Sequence, residues 1–125
     1  MATKLFAYGT LKRAHAPKEI AHAVNRFRLI GRGRVRGQIY DLGEYPAAIL
    51  ANTGKTGTIE GEVFEVPDAE TLRALDAYEE FDSKRPAQSL FVRKRKLITL
   101  DNGKKVECWV YEYNRPLPSH ARRLS

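Results

Sequence analysis

Two alternating runs split by an Asn-Gly pair constrain this chain more than any other feature. Leu90 to Leu100 and Lys105 to Tyr113 each follow the two-residue period of a strand, with Asp101-Asn102-Gly103 between them. Asn-Gly tolerates the positive φ angles of a tight turn, so the last third of the chain is predicted to be an antiparallel hairpin. The same period recurs upstream. Lys4 to Tyr8 ends at Gly9-Thr10, Arg32, Arg34 and Arg36 alternate with small residues within Arg28 to Leu42, and Ala47 to Ala51 and Thr58 to Val66 follow. Glycines inside such runs mark bends or bulges.

The period changes to that of a helix at two places. Pro17 suits a first helical turn, and Ile20, Val24 and Phe27 recur at helical spacing, which predicts a short helix over 17–26. Asp68 is a good N-cap, Glu70 complements the positive helix start, and Leu72 and Leu75 form an apolar ridge on a helix running to about Glu80. Many short strands with two helices predict an α+β fold, a small mixed β-barrel flanked by short helices. A chain of 125 residues fits one domain, expected over 1–118, with 119–125 as a loose tail after Pro116 and Pro118.

Composition narrows the function classes. Apolar residues make up 42% and charged residues 30%, which suits a folded chain rather than a disordered one. No run approaches the ~20 apolar residues of a spanning helix, and Met1-Ala2-Thr3-Lys4 starts no signal-peptide pattern, so a cytoplasmic protein without a membrane partner is expected. Cys108 is the single cysteine and alternates with Val106 and Val110, a core position without a disulfide. Net charge is +7, distributed as +8 over 1–36, −9 over 37–82 and +8 over 83–125. Arg93-Lys94-Arg95-Lys96 and the nearby aromatics suggest a nucleic-acid surface, but consecutive strand residues point to opposite faces, so no nucleic-acid partner is expected.

Several motif matches fail on spacing. Gly31, Gly33 and Gly37 miss the dinucleotide fingerprint, whose third glycine would fall on Arg36, and Gly54-Lys55-Thr56 lacks the first glycine of a phosphate loop, a position held by Ile49. His15, His22 and His120 are scattered, so no metal site is expected. Two signals remain. Glu79 lies within about 40° of Leu72 and Leu75 on the helical wheel, in the apolar face, where loss of hydration favours the protonated carboxyl; the alternative is a helix that stops a turn earlier and leaves Glu79 in a loop. Glu80, about 100° further round, faces solvent. Tyr8-Gly9-Thr10-Leu11 ends a strand in a turn whose free backbone N–H groups could hold a carboxylate or an oxyanion.

In order along the chain, Phe6-Ala7-Tyr8-Gly9-Thr10-Leu11-Lys12-Arg13, Gly37-Gln38-Ile39-Tyr40-Asp41-Leu42-Gly43-Glu44-Tyr45-Pro46-Ala47, Gly61-Glu62-Val63-Phe64, Leu75-Asp76-Ala77-Tyr78-Glu79 and Trp109-Val110-Tyr111 resemble the γ-glutamylcyclotransferase-like superfamily. Within it they are most similar to the small γ-glutamylamine cyclotransferase branch, from Lys4 to about Pro118. The resemblance implies a small barrel with a cavity beside its first strand. It also implies that Glu79 is the catalytic acid/base and that Tyr8, Gly9, Thr10 and Leu11 bind the α-carboxylate end of a γ-glutamyl group, with Tyr113 lining the pocket. The reaction so implied needs no cofactor and yields 5-oxoproline and an amine from a small-molecule γ-glutamyl substrate. Two positions depart from the family pattern: Ala14 and Glu80 stand where glycine is frequent.

Overall fold

The computed structural model describes residues 3–8, 26–42, 46–50, 57–82 and 84–124. Among them are seven strands: β1 (Thr3–Ala7), β2 (Arg28–Asp41), β3 (Pro46–Leu50), β4 (Thr58–Val66), β5 (Phe91–Leu100), β6 (Lys105–Tyr113) and β7 (Arg122–Leu124). One α-helix, α1 (Ala69–Tyr78), and a 3₁₀ turn at Pro86–Gln88 separate β4 from β5. The helix expected over 17–26 falls, apart from Arg26, outside the described residues.

A five-strand ring runs β2-β4-β1-β6-β5 and returns to β2, giving the mixed barrel. All its pairings are antiparallel except β1 with β6, where Leu5 faces Trp109. Closure rests on two residue pairs, Gly33 with Leu100 and Arg34 with Thr99. Gly33 is required there, because a Cβ would lie 2.8 Å from Ile98 Cγ2. Beyond the ring the long β2 continues to Asp41 and carries β3 and β7.

The C-terminal segment corrects one expectation. Rather than trailing loosely, Arg122 to Leu124 pair with Asp41 to Ile39. The anchoring is polar: Arg123 Nε donates to Gln38 Oε1 at 2.8 Å and the His120 ring Nε2 lies 3.0 Å from the Leu42 carbonyl oxygen. Three residues of low apolar content give no periodic signal, which is why this strand was not legible.

Alternation sorts the side chains into two cores. Phe6, Tyr8, Ile59, Val63, Ile98, Cys108 and Val110 fill one, joined by Val35 and Ala48. Leu5, Ala7, Phe64, Val66, Phe91 and Tyr111 face the other way and pack with Leu75 of α1. Leu75 is completely buried, and that burial alone contributes about 1.5–3 kcal/mol to holding the helix on the sheet.

Candidate functional site

The geometry of α1 starts at its cap. The Asp68 carboxylate accepts from the Thr71 backbone N–H at 2.7 Å and from the Thr71 hydroxyl at 2.6 Å, fixing the first turn. At the other end Glu79 is the C-cap, and its N–H still reaches the Leu75 carbonyl at 2.9 Å, so it keeps the helical direction one turn past Leu75. The helix therefore ends slightly before the expected Glu80 but does not end a turn early.

Glu80 then takes a left-handed conformation at φ 55°. Its N–H bonds to the Ala77 carbonyl at 3.2 Å, and the Phe81 N–H to that of Asp76 at 2.8 Å, which together form a Schellman closure. Phe81 packs back on the cluster containing Leu75, completing the closure's apolar contact. This is the position where the family pattern often has glycine, and the backbone angle gives the reason: a Cβ is disfavoured there.

Asp76 and Glu79, three residues apart, meet different surroundings. Arg93 grips Asp76 through two bonds, Nε to Oδ1 at 2.7 Å and Nη2 to Oδ2 at 3.1 Å, and Tyr111 Oη donates to Oδ1 at 2.6 Å. The guanidinium also lies over the Trp109 ring, 4.4 Å from its centroid. Glu79 is mostly buried, yet among the described residues no hydrogen bond or ion pair reaches its carboxylate. Burial without a partner pushes its pKa from the ordinary 4.5 up to about 7.

Tyr8 joins this region from the end of β1. Its hydroxyl donates to the Tyr111 carbonyl oxygen, linking the first strand to β6. Burial first, and then the charge of Glu79, raise the pKa of Tyr8. Tyr111 is raised as well, by burial and its bond to Asp76, with Glu79 contributing. The charge of Glu79 is thus felt at both phenols, Tyr8 after β1 and Tyr111 on β6. Gly61 of β4 packs tightly against the end of β1, where a Cβ would overlap the Ala7 carbonyl oxygen.

Of the other residues singled out in the sequence, Gly9, Thr10 and Leu11 lie outside the described residues. Tyr113 packs edge-on against Phe91 with ring centroids 5.6 Å apart, on the face of β6 that carries Tyr111. Among the described residues no three His, Cys, Asp or Glu side chains converge as a metal site requires.

Asp76, Arg93 and Glu112 were not anticipated. Glu112 is buried, accepts the Leu50 N–H at 2.6 Å and pairs with Lys94 Nζ at 2.6 Å, tying β3 to β6. Its signal was present, since it continues the inward alternation of Cys108 and Val110. Asp76 and Arg93 carried none, because their pairing spans two elements.

Comparison with known proteins places the chain in a family and matches its fold. The profile of the family described as "Gamma-glutamyl cyclotransferase, AIG2-like" matches residues 5–124. The chain is 32% identical to CG2811 of Drosophila melanogaster over 124 residues, 89% of this chain and 69% of that one. It is 31% identical over 115 residues to the gamma-glutamylcyclotransferase family protein YtfP of Escherichia coli, 91% of this chain and 85% of that one. The crystal structure of an AIG2-like protein from Mus musculus superposes with a TM-score of 0.70 at 25% identity, covering 95% of this chain and 86% of that one.

Proposed function

The chain belongs to the gamma-glutamyl cyclotransferase, AIG2-like family, and from that premise we propose that it releases 5-oxoproline and a free amine from a γ-glutamyl amine or a related γ-glutamyl compound, with Glu79 as the acid/base. The observation that carries the reading is the mostly buried Glu79 carboxyl, which has no hydrogen-bond or ion-pair partner among the described residues and whose pKa burial pushes up to about 7. A group titrating near neutral pH can both take and return a proton.

The substrate brings its own nucleophile. Its α-amine attacks the γ-carbonyl carbon, the new C–N bond closes a five-membered ring, and the amide bond to the departing amine breaks. The proton lost by the attacking nitrogen passes through Glu79 to the leaving nitrogen, so atoms and charge balance without a cofactor. Holding the glutamyl chain bent supplies much of the acceleration through proximity. Backbone donors of Tyr8, Gly9, Thr10 and Leu11 would anchor the α-carboxylate, and Tyr113 would line the far side of the pocket.

The test is 5-oxoproline release from a panel of γ-glutamyl amines and γ-glutamyl dipeptides, with the native protein beside Glu79→Gln. Turnover in the native protein that falls roughly 10²–10⁴-fold in the variant supports the assignment. Undiminished turnover in the variant would place the proton transfer on another group. A folded native protein with no turnover across the panel would favour a binding module that keeps the cavity.

A further inference from the structure

The barrel seam opens just past its two closing pairs. At Val35 and Arg36, β2 keeps only β4 as a strand neighbour, and β5 on the N-terminal side of Thr99 keeps only β6. The two strands diverge around a wedge of about 400 Å³. Four cations from three strands line it: Arg34 and Arg36 of β2, Lys96 of β5 and Lys105 of β6, with the hydroxyls of Thr58 and Thr99 between them.

Part of this charge is engaged: Lys96 has an interaction of its own. Arg34 Nη1 lies 3.7 Å from Asp101 Oδ1, both side chains exposed, and Glu60 stands opposite Arg34 across β4. Among the described residues no carboxylate comes within ion-pair distance of Arg36 or Lys105. Converging cations in a concave wall concentrate positive potential on one volume. Guanidinium forks and ammonium groups are the donors that suit phosphate oxygens.

The basic track does not continue beyond the wedge. Of the Arg93–Lys96 run, Arg93 is held by Asp76, Lys94 by Glu112, and Arg95 lies over Trp109 with Glu107 at 3.4 Å. A single compact anion therefore fits the charge pattern better than an extended polynucleotide, which needs cations spaced along its backbone. We propose that the wedge is a binding site for a compact polyanion with adjacent phosphate groups, a diphosphate or a diphosphate-bearing small molecule. It shares no lining residue with the Glu79 region, so it is independent of the cyclotransferase reading.

Calorimetric titration of the native protein with inorganic pyrophosphate, ADP and a 12-nucleotide single-stranded RNA tests this. Saturable 1:1 binding of pyrophosphate is expected, weakened at least tenfold by Arg36→Glu with Lys105→Glu and also by the milder Arg36→Gln with Lys105→Gln. Equal affinity for ADP supports a site that reads the diphosphate alone, and tighter ADP binding supports a nucleotide-type ligand. Amide shifts on titration should centre on Val35, Arg36, Thr58 and Leu97–Thr99 and leave Ala77–Phe81 still. No saturable pyrophosphate binding, binding unaffected in both folded double variants, or RNA binding that outcompetes pyrophosphate would each overturn the proposal.

Discussion

Asp76 and Glu79 leave the same helix one turn apart, and the molecule treats them in opposite ways. Asp76 is locked by a bidentate guanidinium and a phenol, while Glu79 is mostly buried with no counter-charge or hydrogen-bond partner among the described residues. The lesson is that burial alone does not decide a carboxyl's role. With a fixed cation the group becomes a structural tie; without one it keeps a proton that can be given away near neutral pH.

The largest expected effect breaks the unpaired member. Glu79→Gln keeps the size of the side chain and removes its proton exchange, so turnover falls by roughly 10²–10⁴ while the folded structure, followed by circular dichroism, is retained. Breaking the paired member moves stability instead. Both side chains of the Asp76–Arg93 pair are about 15% exposed, so Asp76→Asn leaves a nearly buried guanidinium without its counter-charge. Urea denaturation should show a loss of about 3 kcal/mol, a large share of what a domain of this size has.

The comparison sharpens with pH. Because the folded pKa of Glu79 is about 7 and the ordinary value is 4.5, the folded chain holds a proton that the unfolded chain releases between those values. Stability therefore falls as pH rises from about 4.5 to 7, by up to about 3 kcal/mol from this group. Glu79→Gln lacks that slope, so its thermal midpoint should match the native protein near pH 4 and exceed it near pH 8. Coincident midpoints at both pH values would remove the basis for a raised pKa.

The smallest effect concerns the closure that aims Glu79. Glu80 occupies a left-handed angle, so Glu80→Gly should stabilise the protein by about 1 kcal/mol in the same denaturation experiment. A destabilised variant would show that the Glu80 side chain contributes more than its backbone strain removes.

Local patterns made much of this legible. The Asp68 cap, the apolar ridge and the Asn-Gly turn each act within a few residues, and Glu79 stood out as a carboxylate on an apolar face. Pairings that span the fold left no such trace. Closure of β2 on β5 depends on Gly33 and Leu100 meeting, and the grip of Arg93 on Asp76 depends on β5 passing under α1. Within the basic run, alternation showed that the cations divide between faces, but not that Lys96 would join Arg34, Arg36 and Lys105 around one wedge. Glu112 was missed although it obeys the same rule that found Glu79, a carboxylate in an inward-facing row.

The central claim is that Glu79 titrates near neutrality because it is mostly buried and has no partner among the described residues. It can be tested without a substrate, by following the side-chain carboxyl carbons of a ¹³C-glutamate-labelled protein by NMR from pH 3 to 9 and assigning Glu79 through the resonance missing in Glu79→Gln. The account predicts a midpoint near 7 for that resonance. A midpoint near 4.5 would contradict it.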